Sequence, residues 1–136
     1  MIKIFTLNTG DDIIAEMLDE DEENVILKDP LTIKYAVSMK GGIYVQLKYY
    51  GLFTADDIFA FKKTSIISTS HPKENMMEYY SLSVQTAKEE FIPEVDSMVD
   101  QHVMMIKNYQ MDKQMNEKTD AAFNDFLQKV TIKTLQ

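Results

Sequence analysis

Around Ser70-His71-Pro72 the sequence changes its period, and this switch constrains the fold more than any other feature. Upstream, short runs rich in β-branched and aromatic residues stand between turn signals, as strands do. Downstream, apolar residues recur at steps of three and four, as on helices. The order predicts a mainly β domain over residues 1–72 with C-terminal helices forming an extension over residues 73–136.

The β half resolves into short runs. Ile2–Leu7 alternates, and Asn8-Thr9-Gly10-Asp11 reads as a turn. Residues 12–18 place Ile14, Glu16 and Leu18 opposite Ile13, Ala15 and Met17. Residues 25–39 form a long β-rich run that Pro30 interrupts, which predicts a bulge or bend there. Lys40-Gly41-Gly42 supplies a tight hairpin turn, and residues 43–50 return. Two more short strands cover 58–61 and 65–69, on either side of Lys62-Lys63.

In the helical half, Met77, Tyr80, Val84, Ala87 and Phe91 define one stripe. Pro93 is expected to end or kink that helix. Val95, Met98, Val99, Ile106 and Tyr109 continue a second stripe, and Thr119-Asp120 can cap a third helix with Phe123, Phe126, Leu127 and Val130 on one face.

Charge narrows the function. Fourteen Lys and no Arg face 22 acids, for a net charge of −8, and the two halves carry equal shares. This opposes general affinity for polyanions. Without the guanidinium fork, any nucleic-acid contact must use Lys, Asn, Tyr and backbone groups. The absence of cysteine excludes disulfides and thiolate chemistry. The apolar runs are too short to span a bilayer, and the N-terminus lacks a signal peptide's long apolar run, so the expected compartment is the cytosol.

The segment Asn24-Val25-Ile26-Leu27-Lys28-Asp29 resembles the first motif of the Sm-like family, in which an Asn opens three aliphatic residues, a variable residue and an Asp. Ile13-Ile14-Ala15-Glu16-Met17 looks like the preceding strand, with Ala15 where Gly is usual. Ile58-Phe59-Ala60-Phe61-Lys62-Lys63-Thr64-Ser65-Ile66-Ile67 resembles the second motif, with Lys62-Lys63 in place of Arg-Gly. Glu23 stands where Met is common, and a strand at Ile2–Leu7 replaces the usual leading helix. So divergent a version is expected among proteins of bacterial viruses. The resemblance implies a strongly bent five-stranded antiparallel barrel whose fourth and fifth strands pair between subunits. It also implies a homo-oligomeric ring of about five to seven subunits.

In such rings RNA bases sit near the pore, between the loop of the first-motif Asn and that of the second-motif Arg. By position these are Asn24 and Lys62, with Lys63 beside them. The plainer reading is that Asn24 closes a turn and Lys62 solvates a loop. Asp19, Glu20, Asp21, Glu22 and Glu23 occupy the loop that would face the pore. There they would repel a phosphate backbone within a Debye length of about 8 Å. They read either as a solvated loop or as a selector for a basic protein segment or divalent cations.

Tyr35, Tyr44, Tyr49 and Tyr50 offer stacking surfaces or half-buried packing, and alternation puts Tyr49 and Tyr50 on opposite faces. His71 neighbours Ser68 and Ser70 only in sequence, and His102 has no His or acid three or four residues on. No acid, base and nucleophile set stands out, no phosphate-cradling loop is present, and no metal or other cofactor is expected. Two functions remain. One is a ring that binds RNA. The other is a homo-oligomeric scaffold that meets a protein partner through its C-terminal helices.

Overall fold

A computed structural model describes residues 1–135, with side chains through Lys129, so the Val130 side chain lies outside the described residues. Six antiparallel strands come first: β1 (Ile2–Leu7), β2 (Asp12–Glu20), β3 (Asn24–Val37), β4 (Ile43–Tyr49), β5 (Ile58–Lys62) and β6 (Ile66–Ser70). A single 3-10 turn, Lys63–Ser65, joins β5 to β6. Helix α1 (Glu74–Thr86), a π-helical turn (Ala87–Phe91) and helix α2 (Ile92–Leu135) follow.

The strands run in the order β4-β3-β2-β1-β6, with β5 also on β3. The resemblance implies five strands, and the sixth is β1. It pairs with β2, Phe5 opposite Ile13, and on its other side with β6, Thr6 opposite Ser68.

Strand β3 carries two partners along one edge. Residues 24–28 pair with β5, and residues 31–37 pair with β4. Asp29 and Pro30 separate the two, and the bend expected at Pro30 is found there. Asp29 has φ 49°, in the left-handed region, the only non-glycine with positive φ among the described residues. Asp tolerates that conformation better than most residues. Opposite the bend, the β2–β3 ladder steps from Ile14↔Leu31 to Glu16↔Lys28, an extra residue on β3. The hairpin turn is also as expected: Gly41 has φ 82°, and Ser38 N–H donates to Gly42 O at 2.7 Å.

The alternation in β2 sorts the core. Ile13 and Ala15 pack with Phe5, Val25 and Leu27 inside the bent sheet. Ile14 faces the other way and packs with Leu31, Tyr49, Tyr80 and Ala87 beneath α1. Burying each large aliphatic side chain is worth roughly 1.5–3 kcal/mol, so both faces contribute to stability. From the first helical stripe Tyr80 and Ala87 are buried, Met77 and Val84 half-buried, and Phe91 exposed.

Pro93 does not end the helix. The turn before it widens, and Ile92 N–H bonds to Ala87 O, five residues back. A wider turn gives the proline ring room against the carbonyl four residues earlier, which an α-helical turn denies it. The cap expected at Thr119-Asp120 is also absent. Thr119 Oγ1 donates to Met115 O at 2.9 Å inside an unbroken helix. Met1 to Val95 forms one compact unit, and the helix from Asp96 onward forms a second. Every residue from Asp96 to Lys129 is exposed. No helix among the described residues is long and apolar enough to cross a membrane.

Candidate functional site

Asn24 opens β3 and Lys62 closes β5, and the antiparallel register sets the two directly opposite one another. Residues 38 positions apart thus share one end of the sheet. Asn24 is half-buried and Lys62 exposed. Lys62 makes no ion pair among the described residues.

The turn before Asn24 is held by its own acid. Asp21 Oδ1 accepts the N–H of Asn24 at 2.6 Å and of Glu23 at 2.8 Å. Asp21 N–H donates back to Asn24 O at 2.9 Å. This is an Asx-type turn, a local alternative to extending the ladder. The two backbone donors, Asn24 first, hold the Asp21 carboxyl below its ordinary pKa. Asp19 Oδ1 accepts Glu20 N–H at 2.8 Å.

The loop is bound to the other strand as well. Lys63 N–H donates to Glu23 O at 2.8 Å, and Lys63 Nζ lies 3.2 Å from Glu20 Oε2. The five acids are therefore not equivalent. Asp19 and Asp21 accept backbone bonds, Glu20 pairs with Lys63, and Glu22 and Glu23 present exposed carboxylates. Lys62 and Lys63 divide likewise, one unpaired and one neutralised. The arrangement can offer an amide and one ammonium to a base and a phosphate, with carboxylates alongside. No cluster of His, Asp or Glu suited to a metal occurs among the described residues.

A second polar centre lies at the β3 bend. The Asp29 carboxylate is buried. Its Oδ1 accepts the Tyr49 hydroxyl at 2.7 Å, and its Oδ2 lies 3.0 Å from Lys88 Nζ. Tyr80 Oη sits 2.9 Å from Asp29 O and 3.1 Å from Lys28 O, shares its proton between them, and accepts Glu16 N–H at 3.2 Å. Asp29 N–H donates to Asp57 O at 2.8 Å, and Lys88 Nζ also reaches Asp57 Oδ2 at 3.7 Å. Burial, joined by the Asp29 charge, pushes both phenols above the ordinary tyrosine range. This centre docks α1 and the π-helical turn onto the sheet.

The sequence marks Asp29 only as a motif position. Tyr80 shows there only as one member of an apolar stripe. Of the other tyrosines, Tyr50 is exposed and meets Phe59 edge-on at 5.2 Å between ring centres, while Tyr49 is buried, on the opposite face as alternation requires. His71 and His102 are exposed.

No curated protein matches the chain. A sequence model of the Sm-like domain matches residues 4–81, from within β1 through all later strands into α1. That match covers more than half of the chain and includes both motif segments, so this protein belongs to the Sm-like family.

Proposed function

We propose that this protein assembles through its sheet edges into a homo-oligomeric ring of about five to seven subunits, acting in the cytosol, and binds RNA at the pore through Asn24 and Lys62. Sm-like proteins often form rings and bind RNA, which supports the reading from the family side. From the geometry, β5 pairs only with β3, and β6 only with β1, so each has one edge without a partner among the described residues. Such edges template pairing with another chain, and a closed ring leaves none open. The observation that carries the RNA reading is the register of Asn24 against Lys62.

The test is the mass in solution by light scattering, read with absorbance at 260 nm of the purified protein. Binding of short uridine- or adenine-rich oligonucleotides is then measured across salt. A ring whose affinity falls with salt, and falls again in Asn24→Ala with Lys62→Ala, fits the proposal. A monomer at micromolar concentration removes the ring, and unchanged affinity in the double variant removes the site.

The second reading is a scaffold that holds a protein partner and no nucleic acid. One observation favours it: Glu20 already neutralises Lys63, so each subunit sets Lys62 against the exposed Glu22 and Glu23. A ring without oligonucleotide affinity at low salt, and with a protein retained on it, would select this reading.

A further inference from the structure

Strand β4 has one edge that no strand pairs with among the described residues, and it is neither of the two edges that the proposed ring joins. Register fixes what this edge presents. Tyr50 N–H donates to Pro30 O at 3.0 Å and Ser38 N–H to Gly42 O at 2.7 Å, at the two ends of the β3–β4 ladder. Bonded and non-bonded pairs alternate along an antiparallel ladder, so Tyr44, Gln46 and Lys48 turn their backbone groups to β3. Val45, Leu47 and Tyr49 turn theirs outward. One outward group is already taken: Tyr79 Oη donates to Val45 O at 2.9 Å.

Beyond that bond a groove of about 590 Å³ runs between β4 and the helical segment from Tyr79 to Phe91. Leu31, Leu47, Leu82, Ala87 and Phe91 make it apolar, and all of its lining residues lie within the first compact unit. Leu82 is 56% exposed and Phe91 52%, so the groove is open to solvent. Lys48 is the one charged residue that lines it, and it makes no ion pair among the described residues. The surrounding stretch has the same sign: residues 30–55 contain three lysines and no acid, in a chain of net charge −8.

We propose that this groove binds a short extended segment of a partner protein, which adds to β4 as a strand through Leu47 and Tyr49, sets an apolar side chain against Leu82 and Phe91, and places an acid at Lys48. The occupant is an extended backbone because one wall of the groove is a row of peptide groups at strand spacing, which a compact ligand does not match. It is acidic because the only charge in the groove is an unpaired ammonium. It is short because the Tyr79 hydroxyl over Val45 bars a strand that pairs along the whole of β4, as the β4 of a second copy would. The inference requires neither the ring nor the RNA site.

The test uses full-length protein as bait for a displayed library of random octapeptides. An enriched peptide is then synthesised with a fluorophore and titrated by anisotropy. The enriched peptides should carry an apolar residue with Asp or Glu close by. N-methylation of alternate peptide amides separates strand addition from loose apolar binding. Methyl groups on the amides that face β4 should abolish binding, and methyl groups on the intervening amides should leave it. Lys48→Glu should weaken binding roughly fivefold at low salt, and a peptide with Lys in place of its acid should regain it. Leu82→Glu should block the groove, with an unchanged melting curve because Leu82 is more than half exposed. Amide exchange in the bound protein should slow at Leu47 and Tyr49 and stay unchanged at Gln46 and Lys48, which β3 already protects.

A library that enriches no peptide overturns the inference, as does one whose enriched peptides lack the acid or the apolar residue. So does equal binding of the two N-methylated sets, or full affinity in both Lys48→Glu and Leu82→Glu. Slow exchange at Leu47 and Tyr49 before any peptide is added also overturns it, since the edge would already be covered by this chain or by a second copy. Light scattering on the same samples keeps the two ideas apart. A ring that binds no peptide overturns this site alone, and a monomer that binds it overturns the ring alone.

Discussion

Lys88 Nζ lies 3.0 Å from Asp29 Oδ2, joining the turn after α1 to the one left-handed residue of β3. The two residues are 59 apart in sequence. Asp29 meets three demands at once. It accepts the Tyr49 hydroxyl, pairs with Lys88 and adopts φ 49° before Pro30. Asn at this position keeps the last of these and an acceptor oxygen. Ala keeps none. Asp29→Asn should therefore cost about 1–2 kcal/mol, and Asp29→Ala about 2–4 kcal/mol, with a deserted Tyr49 hydroxyl and a strained backbone. These values lie below the full cost of a broken buried ion pair, because the Lys88 side chain is 39% exposed and water screens the pair. Urea midpoints of the two variants check the order. Equal midpoints would mean that the carboxylate, and not the backbone, dominates.

The raised tyrosines set an alkaline limit. A phenol whose folded pKa lies above the unfolded one favours the neutral form in the native state. Its stabilisation is complete below the unfolded value of about 10 and is lost as pH climbs toward the folded value. For Tyr49 and Tyr80, both raised first by burial, the loss begins near pH 10. Tyr80→Phe should lower stability at pH 7 by about 1–3 kcal/mol, since three backbone groups lose their hydroxyl partner. The same variant should fall less steeply than wild type above pH 10. Denaturant melts at pH 7 and along an alkaline series measure both effects. A parallel fall in the two proteins would assign the alkaline loss to other groups.

Asp21 acts at the opposite end of the pH scale. Its folded pKa is lowered by the Asn24 and Glu23 amides, so its contribution is present above the unfolded value and is lost as pH falls through the folded one. Because the group is exposed, the effect should be read as a shift in Tm alone. Asp21→Ala should lower Tm at pH 7, while Asp21→Asn retains the acceptor and most of the turn. At acid pH the Tm of wild type should approach that of Asp21→Ala. A constant gap between them from pH 7 to pH 3 would assign the difference to something other than the carboxylate.

These relationships separate what a sequence can carry from what it cannot. Strand alternation placed Ile13 and Ala15 opposite Ile14, and the two core clusters divide along that line. Pro30 marked the bend because a missing N–H is a local property. Asn24 and Lys62 could be brought together only through the family motif. Their pairing is a matter of register, and no local rule sets it. The Asp29 centre was illegible for a stronger reason. Its members, Tyr49, Tyr80 and Lys88, come from three elements, and each is locally ordinary. Pro93 does not end the helix, because the wider turn before it makes room for its ring, and that turn is a feature of the chain's hydrogen bonding that no single residue announces.

The acidic loop offers the sharpest check on the RNA reading. If Lys62 meets phosphate at the pore, then Glu20, Glu22 and Glu23 oppose it, and Glu20 also occupies the one other lysine at that end of the sheet. Glu20→Gln should release Lys63 as a second cation without disturbing the Asp21 turn, whose bonds join the Asp21 carboxylate and N–H to backbone groups of Glu23 and Asn24. Adding Glu22→Gln and Glu23→Gln removes the remaining exposed carboxylates and leaves those amides in place. In a ring each change repeats in every subunit, so small local terms accumulate around one opening. Affinity for a short uridine-rich oligonucleotide should then rise by roughly tenfold at low salt, with a steeper dependence on salt as one more lysine engages phosphate. Fluorescence anisotropy across a salt series reads both. Tighter binding with an unchanged salt slope would mean that repulsion was relieved but Lys63 stayed out of contact. No change in affinity, with the ring intact, would place any nucleic acid elsewhere on the protein and leave the scaffold reading in possession of this loop.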